Sequence, residues 1–397
     1  MQLQDFLMKR TRLPRISRQN ADSEALLQDA LALGLSSSRL EDAFWQQRLN
    51  DRIQQLLKAG DDDTLNAVLD RLYQDNDQGY EPFIDLLESC TESHITSGQA
   101  EDLLLIAIPI LAWSRFTIPA GPIPAAVLQN IRVQLQAHVL ARDVRLGLAD
   151  FLFSPDQLPP GFSATARFTG QLGRLAQQDQ NLHIDPGQMP EAVNFLSDTR
   201  YLLAVAAVAH GQPIFRWQEA SDTRAEAFQQ WQQQGGEALR PLFTACAIEP
   251  QWPLAFFSAC RESDRAARPF ATKASVAFLQ TVLPLGEQTL QATIAPFQDE
   301  RRLTEYRVGF SLDDPAKVIH GLVWPLLDND DEDSDIPAEI SRHLKEAGIA
   351  GITVHDHRFP AEYCEDCGAP LYPAPNGDTV HAEMPEEESP GVSHHLH

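Results

Sequence analysis

From Thr353 to Glu383 the chain reads TVHDHRFPAEYCEDCGAPLYPAPNGDTVHAE, the densest gathering of potential metal ligands in its 397 residues. Cys364 and Cys367 are separated by two residues and followed by Gly368. If both sulfurs are to face one ion, the backbone between them must fold back on itself, and a following glycine permits the tight conformation that ends such a turn. His381 lies 14 residues beyond Cys367, across a direction-reversing segment containing Pro373, Pro375, Asn376 and Gly377. The stretch therefore predicts a small knuckle in which Cys364, Cys367, His381 and His357 hold zinc, with His355 or Glu383 as the other options for the fourth place. His355 and His357, two residues apart, share a face if the chain there is extended. Metal-free thiols and a redox dithiol are the competing readings. Against the redox one, Glu362, Glu365 and Asp366 surround the thiols with negative charge, which raises a thiol pKa.

Charge narrows the field further. The net charge is −25, and between Asp328 and Glu388 there are 17 acidic residues against 3 basic ones. Nucleic acid is not an expected partner, because phosphate binding needs clustered Lys and Arg. The basic residues Lys9, Arg10, Arg12, Arg15 and Arg18 gather instead in an N-terminal arm, residues 1–21, expected to be flexible, while 384–397 form an acidic, His-containing tail. The acidic run 328–335 lacks the glycine an EF-hand loop requires and reads as solvated. Five cysteines are too few and too unevenly placed for a disulfide framework. The apolar run Leu103–Trp113 is about half a bilayer span and contains Pro109. A reducing, cytoplasmic protein without a membrane segment is the expectation.

Residues 22–160 read as a helical domain. Ser38 and Glu41 form a capping box, and Leu40, Phe44, Leu49, Ile53, Leu56 and Leu57 recur at helical spacing until Gly60. Asp61–Asp63 can cap the next helix, with Leu65, Val68, Leu69 and Leu72 on its inner face. Further helices are predicted over 80–94, 99–113 and 123–142. After the breaker-rich segment 155–161, residues 161–383 read as a duplicated α+β domain, with units near 197–285 and 288–383. Each unit is strand–strand–helix–strand followed by an aromatic–Pro step, Trp252-Pro253 in one and Phe359-Pro360 in the other. In the first, Tyr201–Ala209 and Pro213–Trp217 are expected to form a hairpin around His210-Gly211-Gln212. Helices are expected at 253–267 and 272–282. The fold class is thus α+β: a helical N-terminal region, the duplicated region, and the C-terminal Cys-x-x-Cys knuckle.

Other chemistry-bearing residues weigh less. Cys260 reads as a core thiol, and His210 and His320 as strand-end histidines. Nucleotide-loop, dinucleotide-fold and serine-hydrolase signatures are absent from the sequence.

Several stretches together carry a resemblance: SSSRLEDAFW (36–45), PILAWSRFTIPAGPIP (109–124), LQAHVLARDVRL (135–146), SDTRYLLAVAAVAHG (197–211), IAPFQDERRLTEYRVGF (294–310) and RFPAEYCEDCGAPLYP (358–373). They are similar to an uncharacterised family of soluble β-proteobacterial proteins, described as a domain of unknown function. The resemblance spans nearly the whole chain and implies one family unit, but no activity, substrate or site residue. The leading expectation is an interaction or regulatory protein stiffened by zinc, engaging a protein partner through the helical region or the acidic tail. An enzyme with a metal site between the two α/β units comes second, and a thiol-redox protein third. Whether the protein is an enzyme, and its oligomeric state, stay open at this stage.

Overall fold

A single long strand, not a helix, occupies the middle of the first half of the chain. The computed structural model describes residues 21–75, 78–95, 101–193, 195–219, 224–283, 289–299, 302–312, 314, 316–327, 330 and 334–384. The basic arm, most of the acidic run 328–335 and the acidic tail beyond residue 384 lie outside them. The chain divides into two compact units, Met1–Asp264 and Arg265–His397. The segment 155–161 is not that division, since it leads into a helix within the first unit.

Among the described residues the first unit opens with four helices: α1 (Ala21–Gly34), α2 (Arg39–Ala59), α3 (Asp62–Gln74) and α4 (Tyr80–Glu92). Their ends follow the expected chemistry. Ser38 accepts the Glu41 amide, the Glu41 carboxylate accepts the Ser37 amide at 3.1 Å, and Gly60 closes α2 at φ 75°. Asp61 caps α3 by accepting the Thr64 amide. The stripe on α2 is shorter than its spacing implies. Leu49, Ile53 and Leu57 are buried, whereas Leu40 and Phe44 are 85% and 59% exposed.

After β1 (Ser93–Ile95) comes β2 (Glu101–Trp113), where helical spacing predicted a helix. The run LLLIAIPILA is apolar at every position because both faces of β2 are buried, and that erases the alternation that marks a half-exposed strand. There follow β3 (Gly121–Pro122), α5 (Ala125–His138), β4 (Arg145–Leu148), β5 (Phe151–Leu152), α6 (Gly161–Ala176) and β6 (Ser197–Ala209). β6 lies antiparallel to β2 along its full length, Glu101 opposite Ala209 and Trp113 opposite Ser197, and β4 flanks β6. One face of this sheet, with Leu105, Ala107, Leu203 and Val205, packs into the core shared with α1–α4 and α6. The other, with Ile106, Ile108, Leu202 and Ala204, joins the core built on α5 and Trp231.

The expected hairpin after β6 does not form. Residues 213–217 turn instead into a short 3-10 segment at Arg216–Gln218, and β6 takes its partners from earlier in the chain. Then come α7 (Arg224–Gln230), a π-turn at Trp231–Gly235, α8 (Gly236–Leu239), β7 (Ala247–Pro250) and β8 (Leu254–Ala255), the two strands pairing with β2. Helix α9 (Phe256–Val282) is continuous through Pro269, where two helices were expected, and the division between the units falls within it.

In the second unit, β9 (Gln291–Asp299), β10 (Arg302–Ser311) and β11 (His320–Pro325) form an antiparallel meander. Helix α10 (Ile336–Glu346) returns the chain to β12 (Gly351–Val354) and β13 (Phe359–Pro360), both parallel to β9. The two stretches of the sequence echo therefore pair differently: the strand after the helix is antiparallel in the first (β7 on β2) and parallel in the second (β12 on β9). One face of the second sheet, with Ile294, Val308, Phe310, Leu322 and Trp324, packs with Val276, Leu279, Ile340 and Leu344. The opposite face carries Arg307, Gly309 and Gly321, with Gly309 directly across from Gly321. Onto this bare strip the chain lays its final hairpin, β14 (Tyr372–Pro373) and β15 (Thr379–Val380). A Cβ on Gly309 would sit 2.2 Å from the Pro373 carbonyl oxygen, and one on Gly321 would meet the Tyr372 ring at 2.2 Å.

Two predictions follow from this packing. Gly309→Ala forces backbone against backbone and is expected to destabilise the second unit by about 2–3 kcal/mol, read as a lower urea midpoint; an unchanged midpoint would refute the close docking. His320 is buried beside Phe278 and Phe310, and burial lowers its pKa to about 4. The folded state then binds fewer protons than the unfolded state between the two pKa values. Stability should fall as pH drops from about 6.5 to 4, by at most about 3 kcal/mol from this group. His320→Leu should flatten that part of the pH profile, and a slope equal to wild type would exclude the assignment.

Candidate metal centre

Beyond β13 the chain folds into two successive turns, and each presents donors. In the first, the Leu371 amide donates to the Glu362 carbonyl at 3.2 Å, and Tyr363 bridges to Pro370. Inside this base the Cys364 amide donates to the Ala369 carbonyl at 2.7 Å, and the Gly368 amide to the Cys364 carbonyl at 2.8 Å. Gly368 takes φ 72°, the left-handed conformation anticipated from its place after the pair. In the second turn, Gly377 (φ 90°) donates to Ala374 and reverses the chain between β14 and β15, delivering His381 just past β15.

The two turns bring Cys364, Cys367 and His381 together, with one donor atom from each lying within 4.8 Å of the others. The Cys367 sulfur is 3.2 Å from His381 Nε2. Tetrahedral zinc, with Zn–S about 2.3 Å and Zn–N about 2.0 Å, sets its donors about 3.5–4 Å apart, so these residues fit the ion. Two thiolates and an imidazole are a soft-to-borderline set suited to zinc over calcium or magnesium. The Nδ1 side of His381 faces Glu383 Oε1 at 3.8 Å. At that distance the carboxylate makes no hydrogen bond to the ring, but it stands on the side from which an outer carboxylate orients a ligating imidazole. Glu383 therefore stands behind the histidine rather than beside the sulfurs.

The other expected donors are elsewhere. His357 is exposed, its ring set edge-on against Phe359 at 5.0 Å, and it is not part of the group. His355 has its Nε2 3.1 Å from the Ala374 carbonyl. The two do not share an extended face, because β12 ends at Val354 and the chain bends at His357.

The thiols differ in their electrostatics. Cys364 is held below the ordinary thiol value because the Cys367 and Asp366 amides point at its sulfur, with the Cys367 side chain adding to the effect. These hydrogen bonds outweigh the carboxylate of Asp366, so negative flanking residues do not leave this thiol inert as their charge alone implied. Burial pushes Cys90 up to about 12 and carries Cys260 well above its usual value. Cys260 is a core thiol on α9, and all five cysteines are free. His210 pairs with Asp102 at 2.8 Å.

Sequence reading missed the residues that hold the first turn to the sheet. Arg307 on β10 donates from Nη1 to the Glu362 carbonyl at 2.7 Å and the Leu371 carbonyl at 2.8 Å. Gly309 and Gly321 make room for the second turn. A signal was present, since a lone glycine inside a strand pattern marks a close approach of backbone.

A family described as a protein of unknown function (DUF2863) matches residues 11–395, and the chain belongs to it. No curated protein and no solved structure matches the chain. Among the described residues no helix is long and apolar enough to cross a membrane.

In chelator-treated protein at neutral pH, iodoacetamide is expected to modify Cys364 ahead of Cys90 and Cys260, and added zinc should protect it. Peptide mapping reads the order; equal labelling of Cys364 and Cys260 would contradict the electrostatics described.

Proposed function

We propose that Cys364, Cys367 and His381 bind one zinc ion whose role is structural, in a cytoplasmic interaction or regulatory protein. The observation that carries this reading is the convergence of three soft or borderline donors from two separate turns. Both turns are tied to the sheet, one through Arg307 and one across Gly309 and Gly321, so an ion joining them would lock the knuckle to the unit. A net charge of −25 suits a basic protein partner. Five free cysteines agree with a reducing setting.

The donor count supports a second reading. Three protein ligands leave a fourth position, which a water or an exchanging substrate can take in a metal-dependent enzyme. Cys367 is exposed and Cys364 and His381 half-buried, so that position is reachable from solvent.

Metal analysis of protein purified without chelator, wild type beside Cys364→Ser/Cys367→Ser, separates these. About one zinc per chain, lost in the variant together with a lower melting temperature, supports the structural role. Zinc lost with no change in melting, and cobalt-substituted protein whose visible bands shift on adding azide, would favour the open enzymatic centre. Wild-type protein free of metal after reconstitution would end both.

A further inference from the structure

The loop that carries both thiols is gripped from below by a charge that has no access to water. Arg307 is 0% exposed. Its Nε donates to Glu305 Oε1 at 2.6 Å, and its Nη1 reaches the carbonyls of Glu362 and Leu371. Those two carbonyls belong to the first and last residues of the ten-residue loop enclosing Cys364 and Cys367. Nη2 has no hydrogen-bond partner among the described residues. The cation is instead covered on its faces by Phe297, 4.3 Å from the ring centroid, and by Tyr363, at 5.1 Å. Tyr363 immediately precedes Cys364, so the loop supplies both the acceptors and one of the rings that keep this charge stable in the interior.

A buried guanidinium without such partners is costly, and a loop without such an anchor must be ordered each time it closes on an ion. Each cost is met by the same contacts. Arginine is the side chain suited to this, because its planar fork reaches two carbonyls while its faces stack, which an ammonium cannot do.

We propose that Arg307 is a positioning residue for the metal centre, coupling occupancy by zinc to docking of the 362–371 loop on the sheet. The inference rests on the zinc reading above. Coupling of this kind is reciprocal: whatever loosens the Arg307 grip weakens the metal, and the metal tightens the grip by the same factor. Partners that orient a metal site from behind its ligands usually contribute about 10–100-fold to affinity.

The test uses the full chain with Arg307→Lys, Tyr363→Leu and Tyr363→Phe, measuring zinc affinity by chelator competition and the melting shift on adding zinc. Arg307→Lys is expected to weaken zinc about tenfold or more and to shrink the zinc-dependent melting shift. Tyr363→Leu should weaken it about threefold, and Tyr363→Phe, which keeps the ring face, should match wild type. Cobalt-loaded variants should keep the wild-type visible spectrum, because the ligands themselves are untouched. Tyr363 is 54% exposed, so its variants test the coupling even if Arg307→Lys fails to fold. Wild type that binds zinc alongside variants of equal affinity overturns the coupling alone. Wild type that binds no zinc overturns the zinc reading and the coupling with it.

Discussion

The second unit is built around a guanidinium that water cannot reach. A charge in a protein interior persists only where hydrogen bonds and polarisable faces replace its hydration. Here Glu305, two backbone carbonyls and two aromatic rings do so, and three of those five partners come from the terminal knuckle. The meander β9–β11 and the knuckle are therefore not a scaffold and an accessory. Each completes the other's electrostatics, and the loop held in this way carries Cys364 and Cys367, two of the three residues that could hold a metal.

That geometry separates two properties often found together. The donors are anchored firmly through their backbones, yet their side chains lie at the surface, with Cys367 exposed. A firm base favours a site that stabilises its surroundings. An accessible donor set favours one that exchanges ligands. The depressed pKa of Cys364 adds to both, since a thiolate is the form that binds metal and also the form that reacts. It arises from amide dipoles fixed by the turn rather than from neighbouring cations.

What the sequence disclosed was what local chemistry decides. Ser38, Gly60 and Asp61 announced helix ends because capping acts over three or four residues. Cys364, Cys367, Gly368 and His381 announced the knuckle because spacing and turn residues bring the donors near each other. The places of the expected fourth donors were not legible: His355 is engaged by the Ala374 carbonyl and His357 lies past a bend, neither of which spacing reveals. Strand β2 was misread as a helix because a strand buried on both faces has no periodicity to distinguish it. Arg307 was invisible for a different reason. Its two carbonyl acceptors lie 55 and 64 residues away, and only the tertiary fold makes it more than a charged residue in a strand.

The parallel strands β12 and β13 have a kinetic meaning as well. β9 emerges from the ribosome some sixty residues before the segments that pair along its second edge, Gly351↔Gln291 and Phe359↔Phe297. Until Phe359 has been made that edge lacks its partners, and until Val380 has been made the glycine-lined face of the meander lacks the hairpin that docks on it. Late, non-local closure of this kind is slow and leaves adhesive surface exposed during synthesis. The nascent second unit thus carries an unpaired edge and an uncovered face until its last strands arrive, a state that a chaperone would shield.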